Sequence, residues 1–185
     1  MASLRKSRLG RRLLTISLLL GAVAGGGYGW YRYQYPYGAT HRCGIGLNLW
    51  FHEYADAHGG NYPEGEDSAE ALSQLATLGE WPETWWGQLA GKAISDEEAI
   101  QCVKQHGRLT EEFCSWHYVP GLRSDSDPGL ALFWDKTGLA HNGMRQNPVR
   151  YEVMFVGGFS KMISESEWPK FLKRQEELRT SKTEP

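Results

Sequence analysis

Tyr151-Glu152-Val153-Met154-Phe155-Val156-Gly157-Gly158-Phe159-Ser160-Lys161-Met162-Ile163 is the stretch on which the reading of the fold turns. Two runs rich in β-branched and aromatic residues flank a pair of glycines. Adjacent glycines supply the positive φ angles of the primed turns that close two-residue hairpins, so antiparallel strands are predicted over 151–156 and 159–163. Upstream, Ser115 to Val119 and Leu130 to Trp134 read as further strands, separated by a turn of Ser, Asp and Pro between Arg123 and Gly129. After the hairpin a helix is expected from near Ser164. Glu165 and Glu167 lie early in it, Pro169 in its first turn, and Trp168, Phe171, Leu172 and Gln175 towards one face.

Before the strands the period changes. Cys43, Leu47, Trp50, Phe51 and Tyr54 recur every three or four residues, which predicts a helix capped by Thr40 and ended at His58-Gly59-Gly60. Cys43 then falls on the apolar face as a small buried hydrophobe. A second helix follows a cap at Asp67 or Ser68, with Ala71, Leu72, Leu75 and Leu78 inward. Ser95-Asp96-Glu97-Glu98 opens a third that reaches about Lys104. Helices first and an antiparallel sheet after them make an α+β fold.

The N-terminus reads as a membrane address. Leu13 to Trp30 is an uncharged run of 18 residues, about 27 Å as a helix against a hydrocarbon core of about 30 Å. Arg5, Lys6, Arg8, Arg11 and Arg12 precede it, which favours an N-terminus kept in the cytoplasm. Tyr28, Trp30, Tyr31, Tyr33, Tyr35 and Tyr37 follow, rings suited to a membrane interface. The organisation expected is a basic cytoplasmic segment at 1–12, an anchor at 13–30, an aromatic linker at 31–39, an extracytoplasmic domain at 40–178 and a tail at 179–185. A second reading stays open. Ala22-Val23-Ala24 fits a signal-peptidase site, and cleavage there would release a soluble exported protein.

Charge supports two compartments. Five of the 20 basic residues lie in the first 12 positions, which leaves 15 against 22 acidic residues for the rest. That balance argues against nucleic acid as a partner. The three cysteines form no C-x-x-C, so zinc-ribbon and thioredoxin-like sites are excluded. Outside the cytoplasm Cys102 and Cys114 are candidates for one disulfide. The sequence His52-Glu53 lacks the second histidine of H-E-x-x-H, since position 56 is Asp56. Asp125 and Asp127, near Asp135, offer hard oxygens for calcium, and equally read as turn formers. Trp81, Trp85 and Trp86 lie within six residues and form either a stacking platform for a glycan or core packing. His141 with Ser124 or Cys114 is the one nucleophile–base pair on offer, without a nucleophile-elbow motif around it.

An apolar N-terminal segment, the run from Cys43 through Trp50, Phe51, His52, Glu53 and Tyr54 to Gly59, Gly60 and Pro63, and then Tyr118-Val119-Pro120-Gly121, Phe133-Trp134-Asp135, His141-Asn142-Gly143 and the Gly157-Gly158 hairpin come in a particular order. In that order and spacing the chain resembles type IV pilin-like proteins, above all the pseudopilin-like family with an H-x-D-G signature found in Planctomycetes. The resemblance covers about residues 40–178. It makes His141 the signature histidine, expected to hydrogen-bond the hairpin, and places the signature aspartate at Gly157. It implies a pilin-like fold, in some relatives a calcium ion before the last strands, and a structural or secretion-related role without catalysis. Its implied partners are the membrane and other pilin-like or secretion proteins. The prepilin-peptidase site of true pilins is not present in the sequence. The alternative is an exported soluble module that binds glycan or peptidoglycan.

Overall fold

The computed structural model describes residues 2–79 and 82–180, with side chains from Leu13 onward. It divides into two compact units, one ending at Tyr35 and the other beginning at Pro36.

The first unit is a single helix, α1 (Ala2–Gln34), of 33 residues. Its stretch Leu13–Gln34 is long and apolar enough to cross a membrane, and every side chain from Leu13 to Tyr33 is exposed. The helix runs four residues past the expected anchor end. Nothing between Trp30 and Gln34 opposes helix formation, and Pro36 is the first residue that does, by removing a donor and restricting Tyr35. The linker is therefore shorter than 31–39.

The second unit is α+β, as the sequence predicts. It comprises α2 (Gly44–Ala57), α3 (Ser68–Gln74) continued by a 3-10 turn at Leu75–Leu78, α4 (Trp85–Ala90), α5 (Asp96–His106), β1 (Trp116–Tyr118), β2 (Ala131–Asp135), β3 (Arg150–Phe155), β4 (Ser160–Ser164) and α6 (Trp168–Thr180). The four strands form one antiparallel sheet in sequence order. Trp116 pairs with Asp135, Phe133 with Met154 and Val153 with Lys161, and the register of β2 shifts between Ala131 and Phe133.

Helices cover both faces of the sheet, so neighbouring residues of β3 are buried on opposite sides. One face meets α2 and α3 in the main core. There Phe51 stacks on Tyr118 at 5.1 Å and packs tilted against Phe133 at 5.0 Å, and Leu47, Leu72, Trp116 and Met154 join the packing. The other face carries Ala131, Val153, Phe155 and Ile163 against Trp134 and against Trp168 and Phe171 of α6. Gln175 of α6 reaches the edge of β2, where its Oε1 accepts from the Ala131 amide at 2.7 Å and its Nε2 donates to the Gly129 carbonyl.

Several boundaries differ from expectation. Helix α2 is capped by Cys43, whose Sγ accepts from the Gly46 amide. Thr40 is not the cap, and its Oγ1 is buried without a hydrogen-bond partner. Cys43 is therefore a half-buried cap, not a core residue on the helix face. Its start is fixed from a distance: the Gln88 amide accepts from Cys43 N and donates to Cys43 O, both at 3.0 Å. The hairpin closes with three residues, not two. Phe155 pairs with Phe159 and the Gly158 amide donates to the Phe155 carbonyl at 2.9 Å, a type I turn followed by Gly158 at φ 79°. Helix α6 begins at Trp168 because Ser164 still belongs to β4, paired with Arg150. Of the tail, 181–185 lie outside the described residues.

Candidate functional site

The densest buried polar cluster gathers around Lys92, in the loop between α4 and α5. Gly91 brings the chain there at φ 96°, so close to β1 that a Cβ on it would fall 2.2 Å from Ser115 Oγ. The Ser115 hydroxyl holds the loop by donating to Ala90 O and accepting from Ala93 N, and Trp116 Nε1 donates to Gln88 O at 3.0 Å. Arg42 grips the loop's other side. Its guanidinium donates to Gly91 O, Ile94 O and, at 2.8 Å, Asp96 Oδ1.

Held this way, the Lys92 side chain points at the α2 face of the sheet and is 1% exposed. Its Nζ donates to Glu152 Oε2 at 2.7 Å and Leu139 O at 3.0 Å, and lies 3.8 Å from Asp135 Oδ2. It also sits 5.6 Å from the centroid of the Trp116 ring, within range of a cation–π attraction. Asp135, at the end of β2, is fully buried. Its Oδ1 accepts from Thr137 N and Oγ1, and its Oδ2 from Leu139 N. Burial pushes its carboxyl up from the ordinary value, against the opposing pull of Lys92 and Thr137. Glu152 is less enclosed, with 14% of its side chain exposed. It opens, with Lys92, onto a cavity of about 150 Å³ also lined by Ala140, His141, Gln146 and Met162.

Neither Lys92 nor Glu152 stands out in the sequence as a site residue, although each leaves a trace. Lys92 interrupts the apolar run from Leu89 to Ile94, where a charge needs a partner. Glu152 alternates with Met154 and Val156, which places an acid on an inward position of the hairpin.

The other expected site residues are dispersed. Trp81 lies outside the described residues. Trp85 stacks on Trp50 at 4.6 Å and Trp86 packs half-buried on the main core; both line a cavity of about 230 Å³ with Ala76, Gly79, Pro82 and Leu89. Cys102 and Cys114 are not bonded to each other. Cys102 Sγ meets Arg108 O and Thr110 Oγ1, while Cys114 donates to Trp116 O. Burial pushes the Cys114 thiol up to about 12, which disarms it as a nucleophile. Asp125 pairs with Arg123 at 3.1 Å, and Asp127 accepts from the Gly129 amide. Among the described residues no group of three or more His, Cys, Asp or Glu side chains is placed to hold a metal ion. His141 does not bond the hairpin turn. Its carbonyl accepts from Arg42 N at 2.7 Å and its ring meets His41 edge-on at 5.4 Å. At Gly157 a Cβ would fall 2.9 Å from Pro128 Cβ, so the turn has no room for the signature aspartate. Gly158 supplies the left-handed residue of the turn.

A scan against protein-family models found no match to this chain, and searches of curated proteins and of solved structures likewise found none.

Proposed function

We propose that this protein is a membrane-anchored envelope protein of pilin-like organisation, with a structural or assembly role and no catalysis of its own. The observation that carries the reading is α1. Its stretch Leu13–Gln34 exposes its apolar side chains, and the second unit has a core of its own without it. Water does not tolerate such a surface, and a bilayer does. The cations before Leu13 favour a cytoplasmic N-terminus, which would put the α+β unit in the periplasm of an inner-membrane protein. A long helix leading to a helix packed on an antiparallel meander is also the order of elements that the pilin-like resemblance implies. The Lys92 cluster supports a structural role, because its charged groups bond one another.

Fractionation of cells expressing the full chain tests this. The protein is expected in the membrane pellet after alkaline carbonate extraction, and external protease is expected to digest the α+β unit in spheroplasts. Release into the soluble fraction would overturn the anchor. The cavity beside Trp85 and Trp86 favours one second reading, the exported soluble module that binds glycan. That reading expects an intact mass starting at Gly25, and tryptophan emission that changes on adding peptidoglycan fragments.

A further inference from the structure

The Lys92 cluster supports an inference that holds whether or not α1 crosses a membrane. Two carboxyl groups face one ammonium in a site nearly closed to water. The cluster holds one negative charge in excess where water is scarce, and burial raises the Asp135 carboxyl, which favours its taking up a proton. A protonated carboxyl is an electrophile where a carboxylate is not. The amides of Thr137 and Leu139 and the Thr137 hydroxyl all donate to the Asp135 oxygens, an arrangement that stabilises negative charge developing on an attacked carbonyl. Lys92 Nζ is held 3.8 Å from the nearer of those oxygens by Leu139 O and Glu152. The reacting carbon, Cγ, is bonded to that oxygen, so it lies within about 5 Å of Nζ, and a side-chain adjustment brings the two to the separation of about 3–3.5 Å from which bonds form. The nearby cavity provides an exit.

We propose that Lys92 and Asp135 condense to an intramolecular amide, with Glu152 carrying the protons. Lys92 passes one proton to Glu152 along their 2.7 Å hydrogen bond. The Nζ lone pair attacks Cγ of the protonated Asp135, and the resulting oxyanion faces the Thr137 and Leu139 donors. A second nitrogen proton travels through Glu152 to the hydroxyl on Cγ. The Cγ–O bond breaks and water leaves through the cavity. The third nitrogen proton stays on the amide, and Glu152 returns the first to solvent at its exposed edge. No oxidant, cofactor or second substrate is needed. The product is a covalent tie between the α4–α5 loop and β2, at the point where α2, the sheet and the Arg42-held loop converge.

The test is the intact mass of the full-length protein, folded, then denatured and reduced, followed by peptide mapping. The expected mass is below the sequence mass by one water, with a branched peptide joining Lys92 to Asp135. Glu152→Gln is expected to restore the sequence mass with an unchanged circular dichroism spectrum. The full sequence mass in folded wild-type protein, or a water loss mapped to other residues, would overturn the bond. Persistence of the link in folded Glu152→Gln would overturn the role given to Glu152. If that variant does not fold, the wild-type mass and map decide. Cleavage after Ala24 shifts both expected masses equally, so failure of the anchor reading is distinguishable from failure of this one.

Discussion

Gly157 and Gly158 are neighbours in one turn, yet each is required for a different reason. Gly158 has φ 79°, and a Cβ on it would meet only His52 Nε2, at an ordinary contact distance of 3.9 Å, so a side chain there suffers backbone strain alone, worth about 1–2 kcal/mol. Gly157 lies outside the left-handed region, but a Cβ on it would stand 2.9 Å from Pro128 Cβ and 3.0 Å from Pro128 O. Gly157→Ala is therefore expected to cost about 1–3 kcal/mol through overpacking, read as a lower urea midpoint. Pro128→Gly should recover part of that loss and none of the loss from Gly158→Ala. A recovery equal for both glycines would refute the steric account. The sequence displays the pair of glycines but not this division, because Pro128 reaches the turn only after β2 and β3 have paired. The same is true of Lys92. Its apolar neighbours betray a buried charge, while Asp135 and Glu152 become its partners only through the sheet register.

At the scale of elements, legibility follows the range of the contacts that set each boundary. Helix α5 begins where Ser95-Asp96-Glu97-Glu98 says it should, because every contact in its capping box lies within three residues. Ser95 Oγ accepts from Glu98 N at 3.2 Å and Glu98 Oε2 accepts from Ser95 N at 2.9 Å. Ser95→Ala is expected to lower stability by about 1 kcal/mol. Hydrogen exchange of the first-turn amides should rise with it while the sheet amides keep their protection relative to one another. An unchanged urea midpoint would mean that tertiary packing alone holds this end. Helix α2 fails the same local reading, since Gln88 grips Cys43 from 45 residues away and moves the start past Thr40. The hairpin was legible as a hairpin, from its two strand-like runs. Its loop length was not, because three-residue closure depends on Phe155 pairing with Phe159.

For the molecule as a whole, the sequence reads as an apolar segment and a folded domain with opposite demands, and the structure divides after Tyr35 into a lone helix and an α+β unit. The α+β unit buries an apolar core between its helices and both faces of the sheet, whereas Leu13 to Tyr33 bury no side chain. The strongly apolar part of α1, Leu13 to Ala24, is short, and Gly25, Gly26, Gly27 and Gly29 dilute the rest of the span. As the proposed membrane anchor, α1 has little surplus hydrophobicity, so it should be sensitive to a single charge. Leu20 lies in its apolar stretch, far from the arginines that precede Leu13 and outside the small residues of Ala22-Val23-Ala24. Replacing it with arginine adds about 3 kcal/mol to the cost of insertion. Leu20→Arg should therefore move the full-length protein out of the carbonate-resistant pellet. The α+β unit should keep its wild-type urea midpoint, because no residue of its core is touched. A variant that stays in the pellet with the same protease sensitivity would overturn α1 as the proposed anchor.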